Sequence, residues 1–189
     1  MKRVIMMSAL FACFALTVVL MSPHVGRAQG QGGEESQIRQ GFAITPVPLD
    51  LRGKNRALVG LGSYIVNAQA ACNDCHTCPS FTPGHNPYDG IGDGQVNGAN
   101  YLAGGVHFGP FIVSANITPD SAGNPAGLTL QQFTHVLRTG EDPDHAGSVL
   151  QVMPWPVFRN MTEHDIRAIY EYLRSIPHAE PGTCGGPGE

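Results

Sequence analysis

The chain is poor in positive charge. Lys and Arg together number 11 against 15 acidic side chains, a formal net charge of −4 over 189 residues. That balance leaves no basic footprint for nucleic acid or for an anionic membrane surface. Aromatic residues are few, 7% with a single Trp, while Gly (24) and Pro (15) are abundant, so the polypeptide by itself offers a thin core. No stretch alternates apolar and polar residues over the length of a strand, which argues against a sheet protein. The five cysteines do not form two closely spaced pairs: Cys72, Cys75 and Cys78 cluster, and Cys184 stands alone. A structural zinc site usually brings a second ligand pair, and none is present. Cys72-x-x-Cys75-x-x-Cys78-Pro79 copies most of a ferredoxin run, but the fourth cysteine of such a run is replaced by Thr82.

At the start of the chain, Lys2-Arg3 precede an apolar run from Val4 to Met21, and Gly26 and Ala28 sit three and one before a plausible cut. This pattern predicts a secretory signal over residues 1–28. The rival reading is an uncleaved membrane anchor, since the run approaches spanning length, although Ser8, Cys13 and Thr17 interrupt it. Export implies a periplasmic protein in a compartment where disulfides persist. Cleavage after Ala28 would remove Lys2, Arg3 and Arg27 and no acid. The remaining 161 residues would hold eight basic against fifteen acidic side chains, a formal charge of −7, and their length suits one domain.

Residues 29–56 read as a polar, extended leader containing Ile44-Thr45-Pro46-Val47-Pro48. A helix is expected over about Arg56 to Ala70, with Leu58, Leu61 and Ile65 at helical spacing and with Gly60 and Gly62 placed for a close helix–helix crossing. From Pro79 to Gly127, turn signals follow in quick succession (Pro83-Gly84, Asp89-Gly90, Asp93-Gly94, Asn97-Gly98), and a loop of this length points to function or to wrapping of a cofactor. Its Asp89–Gly94 stretch superficially invites calcium but lacks the later bidentate Glu of an EF-hand. Two helices close the domain. Thr129 to Gln132 is a capping box, with Gly140 as the stop, and Thr162 to Asp165 opens the last helix in the same way. The fold class expected is all-α, a helical domain over residues 57–178 with a long Gly/Pro-rich loop, followed by a tail over 179–189.

The stretch that the rest serves is Cys72-Asn73-Asp74-Cys75-His76. C-x-x-C-H is the attachment signature of a c-type haem. Two thiols one helical turn apart can add across the porphyrin vinyl groups, and the histidine that follows is held as an axial ligand. A buried macrocycle would also supply apolar contact that the thin core lacks. For the second ligand, Met153 in the proline-stiffened segment Gln151–Pro156 is the leading candidate, because a rigid backbone aims the thioether and His/Met ligation raises the reduction potential. Met161, at a helix start, is an alternative, as are His85, His107, His135, His145 and His164, or an open site. Trp155 and Arg159 are candidates for the propionate edge. With Cys72 and Cys75 taken, Cys78 and Cys184 remain as an even pair in an oxidising compartment, which predicts a bridge tethering the tail.

Beside Cys72–His76 the chain carries Tyr101-Leu-Ala-Gly-Gly105, Asn116-Ile-Thr-Pro-Asp120, a helix ending in Thr139-Gly140, Met153-Pro154-Trp155 and a last helix through Tyr172-Leu173. In this combination it resembles a class I-type cytochrome c domain, and especially the haem domains of cytochrome c subunits that serve membrane-bound periplasmic dehydrogenases. The resemblance covers about residues 57–178. It implies one covalent haem c, with His76 and Met153 as iron ligands, and single-electron transfer to redox protein partners rather than catalysis. Those subunits often hold two or three such domains and a membrane tether, whereas this chain has one C-x-x-C-H and adds Cys78 and Cys184. The competing expectation is a haem enzyme or sensor with an open or histidine-ligated distal site. A structural metal-binding module is the third.

Overall fold

The computed structural model describes the backbone of residues 25–184 and the side chains from residue 32 onward. All but the last four residues of the expected signal segment therefore lie outside the described residues. The chain divides into two units, Met1–Ser36 and Gln37–Glu189, and the boundary falls within the first described helix. In chain order the elements are α1 (Val25–Ile44), α2 (Arg56–Tyr64), a π-helical turn (Ile65–Gln69), α3 (Cys72–His76), two 3-10 turns (Pro87–Asp89 and Gly98–Asn100), β1 (His107–Phe108), β2 (Ile112–Val113), α4 (Leu130–Thr139), α5 (Trp155–Phe158) and α6 (Glu163–Leu173). The fold is mostly helical. The strands are a two-residue antiparallel pair, His107 opposite Val113 and Phe108 opposite Ile112. Among the described residues no helix is long and apolar enough to cross a membrane.

The region read as an extended leader differs from expectation. Residues 25–44 are helical, and only the proline-containing piece after Ile44 is irregular. Apolar residues are too sparse there for a visible period, and the part of the helix from Gln37 onward is held by tertiary contact instead. Gly41 approaches so closely that a Cβ on it would lie 1.9 Å from the Gly60 carbonyl oxygen. A Cβ on Gly60 would in turn meet Ile38 and Phe42 at 2.7 Å, and the Arg56 guanidinium lies 4.4 Å over the Phe42 ring.

Helix α2 starts where the Asn55 side chain accepts from the amides of Ala57 and Leu58, an N-cap worth about 1 kcal/mol. Its opposite face crosses α6. A Cβ on Gly62 would lie 1.9 Å from the Ala168 carbonyl oxygen and 2.7 Å from Tyr172 Cβ, so both glycines of α2 serve crossings, one to each neighbour. Val59, Leu61, Ile65 and Val66 from this segment join Leu102, Phe133, Leu137, Ile166, Tyr172 and Leu173 in one buried cluster.

Both expected capping boxes are present, Thr129 with Gln132 and Thr162 with Asp165. Gly140 ends α4 in the left-handed region at φ 71°. The expected run of α2 to Ala70 is modified: its last turn is π-helical, with the Ala70 amide donating to the Ile65 carbonyl at 2.8 Å. The extra residue turns Asn67 inward. Asn67 Nδ2 donates to the Ser63 carbonyl at 2.9 Å and the Tyr172 hydroxyl at 3.2 Å, and the Tyr101 hydroxyl donates to Asn67 Oδ1 at 2.5 Å while lying 3.0 Å from the Tyr172 hydroxyl. This buried hydroxyl–amide network joins α2, α6 and the segment after Asn100.

Candidate functional site

Ala71 adopts the left-handed conformation (φ 50°, ψ 40°) between the π-helical turn and α3. A non-glycine residue there costs on the order of 1–2 kcal/mol. The reversal lets a single helical turn, Cys72–His76, start at a new angle. Strain of this kind clusters at functional sites.

Cys72 and Cys75 are both free thiols and both half-buried. Cys72 packs against the hydrophobic cluster. Although part of its surface stays accessible, desolvation pushes its thiol up to about 12, with Cys75 and Asp74 adding to the shift. Burial also raises Cys75, helped by Asp74. A thiol held in the protonated form is a poor nucleophile. A nucleophilic role therefore suits them badly, whereas covalent anchoring of an apolar group does not require a standing thiolate.

His76 is fixed from two sides by segments remote in sequence. The Gly104 amide donates to its backbone carbonyl at 2.6 Å. Its Nδ1 lies 2.8 Å from the Ala115 carbonyl oxygen, which can only accept, so Nδ1 carries the proton and Nε2 keeps a free lone pair. Burial lowers the His76 pKa, partly opposed by the Ala115 bond. The side chain is thus a neutral imidazole with one nitrogen tied back and the other available, which is the state of a metal-ligating histidine with its outer partner in place.

The two loops that hold His76 are tied to each other and to the motif. The Leu102 amide donates to the buried Thr77 hydroxyl at 2.9 Å, the Ile117 amide to the Leu102 carbonyl at 3.0 Å and the Gly105 amide to the Ser114 carbonyl at 3.0 Å. Leu102, Gly104 and Gly105 all have positive φ. At Gly104 a Cβ would lie 2.5 Å from the Ala115 carbonyl carbon and the Ser114 oxygen, so only glycine lets the two loops approach this closely. The role of the Ala115 carbonyl was not readable from sequence. Its one hint was the two loop motifs, whose pairing across His76 sequence order does not reveal.

Met153 precedes a tight turn: the Trp155 amide donates back to the Met153 carbonyl at 2.8 Å around Pro154 at φ −78°, ψ 49°, close to an inverse γ-turn. Met153 is partly buried against the same cluster that Cys72 packs on, and so is Met161. Trp155 Nε1 donates to the Leu150 carbonyl at 3.2 Å, and its ring covers Gly140, where a Cβ would meet indole atoms at 2.3 to 2.4 Å. Arg159 is exposed at the end of α5. Three of the alternative histidines are engaged by carboxylates at the surface: His85 with Asp93 at 2.7 Å, His135 with Glu141 at 2.7 Å and His145 with Asp142 at 3.1 Å.

The expected bridge is present. Cys78 and Cys184 are disulfide-bonded, with Cα atoms 5.4 Å apart. That withdraws Cys78 from any iron–sulfur or zinc set. Among the described residues no group of three His, Cys, Asp or Glu side chains could hold a metal ion, and the carboxylates of the calcium-like loop bond locally, Asp89 to Asn86 and Asp93 to His85. The donors on hand are therefore two neutral thiols, one imidazole lone pair and the thioethers of Met153 and Met161, with Cys72 and both methionines packed against one apolar cluster.

Comparison with known proteins agrees with this donor chemistry. The chain is similar to the cytochrome c subunit of the quinone alcohol dehydrogenase of Gluconobacter oxydans (strain 621H), 34% identical over 122 residues, which are 63% of this chain and 21% of the relative. It is also similar to the fructose dehydrogenase cytochrome subunit of Gluconobacter japonicus, 31% identical with the same coverage, and to the quinone alcohol dehydrogenase cytochrome c subunit of Komagataeibacter europaeus, 33% identical over 120 residues, 62% of this chain and 21% of the relative. The chain spans about a fifth of the length of these curated relatives. No protein-family profile and no solved structure matches it.

Proposed function

We propose that this chain is an exported c-type cytochrome that carries single electrons, with one haem held through Cys72, Cys75 and His76 and completed by Met153. The observation that carries the reading is the His76 side chain, its Nδ1 proton committed to the Ala115 carbonyl and its Nε2 left as a lone pair one residue from Cys75. The haem, when bound, supplies a one-electron couple. The protein's own part is to anchor and tune it. Cys72 and Cys75 hold position, the Ala115 bond sets the tautomer and raises the basicity of His76, and the turn at Pro154 aims Met153. Arg159, exposed at the end of α5, would supply positive charge to the haem carboxylates, and the Trp155 ring, its N–H engaged at Leu150, would supply a wall. Similarity to the named subunits supports a dehydrogenase as electron donor and a carrier role rather than substrate chemistry. The Lys2–Ala28 segment directs export to the periplasm.

The test uses full-length protein matured in an export-competent host. Haem is expected to stay with the polypeptide through acid–acetone extraction and denaturing electrophoresis; haem that leaves the chain sinks the assignment of the two thiols. The weak methionine–iron charge-transfer absorbance is expected in the oxidised protein and lost in Met153→Ala, whose midpoint falls because the soft thioether favours ferrous iron. A spectrum and potential unchanged by Met153→Ala would instead point to Met161, a histidine or an open site, and would reopen the reading as a haem enzyme or sensor.

A further inference from the structure

The tail after α6 is held residue by residue against the two loops that fix His76. His178 Nδ1 donates to the Pro119 carbonyl at 2.9 Å, and the Ala179 carbonyl accepts from Asn116 Nδ2 at 2.8 Å. The Glu180 carbonyl accepts from Asn100 Nδ2 at 2.8 Å. Pro181 packs on Gly105, where a Cβ would sit 3.1 Å from it, and Gly182 lies so close to the Cys78 carbonyl oxygen that a Cβ would be 1.9 Å away. Cys184 then closes the path through its disulfide to Cys78, two residues beyond His76. Each loop that receives these contacts makes one of the two bonds to His76: residues 100–105 through the Gly104 amide, residues 115–119 through the Ala115 carbonyl.

We propose that the disulfide-closed segment His178–Cys184 is a positioning strap for the His76 ligand, which presses the two loops onto it and keeps the Nδ1–H···O=C bond to Ala115 short. This rests on the haem reading only for its effect on potential; the mechanical part concerns the chain alone. A hydrogen bond from the outer nitrogen raises ligand basicity, and basicity favours ferric iron. Releasing the strap therefore loosens the Ala115 bond and moves the midpoint upward. Ordinary structural support would lower stability and leave the potential alone.

Haem-loaded full-length protein, kept ferrous with dithionite, is compared before and after a phosphine opens the disulfide. Amide hydrogen exchange in the peptide containing Gly104 is expected to quicken at least about tenfold, since that amide bonds the His76 carbonyl. In parallel the paired variant Cys78→Ser, Cys184→Ser is expected to show a higher midpoint, a threefold bias against ferric iron corresponding to about 28 mV at 59 mV per tenfold for one electron. Unchanged Gly104 exchange, or a midpoint that stays or falls, overturns the strap. Should the serine pair fail to mature, the phosphine arm decides by itself. A chain with no covalent Soret band fails the haem reading before the strap is opened, and Gly104 exchange still decides whether the strap positions His76.

Discussion

The His76 side and the Met153 side of the site are built differently. Around His76, three segments distant in sequence, residues 100–105, 115–119 and 178–184, converge on one helical turn. Their contacts are mostly between backbone groups or between backbone and short amides, and a disulfide closes them. Around Met153, residues 140–161 form one excursion between α4 and α6 that folds back on itself. The Leu150 amide donates to the Gly140 carbonyl at 2.8 Å and the Asp142 amide to the Ser148 carbonyl at 3.0 Å. Val149, Val152 and Val157 stand exposed. One side is fixed by long-range ties and the other mainly by its own turns. A ligand held by a network answers to distant ties; a ligand on a self-contained loop moves with the loop. For the proposed carrier this would divide the labour: the long-range ties would hold His76, and the Met153 loop would carry the exposed valines.

The sharpest way to break the comparison is a matched pair of glycine substitutions. Gly104 and Gly140 both have positive φ, so alanine costs on the order of 1–2 kcal/mol at either from backbone strain alone. They differ in what the new methyl meets. At Gly104 it meets the backbone of Ser114 and Ala115, which cannot yield without releasing the His76 ring, so overpacking adds about 1–3 kcal/mol. Gly104→Ala is expected to cost about 3 kcal/mol or more in chemical denaturation and to disturb haem retention. At Gly140 it meets the Trp155 ring, a side chain on the self-contained loop that can swing away. Gly140→Ala is expected to cost about 2 kcal/mol and to perturb the Met153-dependent absorbance rather than haem attachment. Equal costs, or the reverse order, would mean that the two sides are equally stiff.

A second probe asks how the Met153 loop is tethered at its far end. The Arg138 guanidinium donates to the carbonyls of Arg159 and Met161, the latter at 2.6 Å, and pairs with Glu163 at 2.7 Å. It is the clasp between α4 and the end of the loop. The Arg138 side chain is 28% exposed against 76% for Glu163, so the ion pair itself contributes little. The two carbonyl bonds, charge-assisted and partly shielded, carry most of the effect. Arg138→Ala is expected to cost about 1–2 kcal/mol, and Arg138→Lys, which keeps charge but has one nitrogen where the guanidinium fork uses Nη1 for both carbonyls and Nη2 for Glu163, to recover less than half. Full recovery by Lys would show that charge, not the fork, is what holds the loop.

This asymmetry also explains what could be read before any coordinates. C-x-x-C-H, the two capping boxes, the glycine crossings of α2 and the Cys78–Cys184 pair are local patterns or simple remainders, and each physical cause lies in a few neighbouring residues. The structure bears out the helix caps, the crossings and the bridge. What was not legible depends on backbone groups or on packing against something far away. Ala115 contributes only a carbonyl, which any residue could supply, so no side chain marks it. The left-handed Ala71 and the π-helical turn at Ile65–Gln69 answer to the buried Asn67–Tyr101–Tyr172 network, whose members lie up to 105 residues apart. Helix α1 is not legible for the same reason: Ile38 and Phe42 make too short an apolar stripe to show as a period, and they find their partners outside the helix, at Gly60 and Arg56.

The smallest effect expected is a pH dependence confined to the strap. His178 Nδ1 faces the Pro119 carbonyl and Nε2 lies 3.0 Å from Glu180 Oε1, so only the doubly protonated ring donates to both. The bond to Glu180, then the Pro119 carbonyl, raise its pKa above the ordinary 6.5. A folded-state value above the unfolded one means that the folded chain binds the proton more tightly. The contribution is therefore fully present below about pH 6.5 and is lost as pH rises through the raised folded-state value. The side chain is 54% exposed, so solvent screens the interaction and the effect stays small. His178→Gln keeps a donor for Pro119 but cannot titrate. The stability gap between wild type and His178→Gln is expected to be widest near about pH 5.5 and to narrow above about pH 7.5. Gly104 exchange should follow the same direction if the strap reaches His76 as argued. A gap that widens with pH would show that neutral His178 is the form that holds the tail, and the donor roles assigned to its two nitrogens would be wrong.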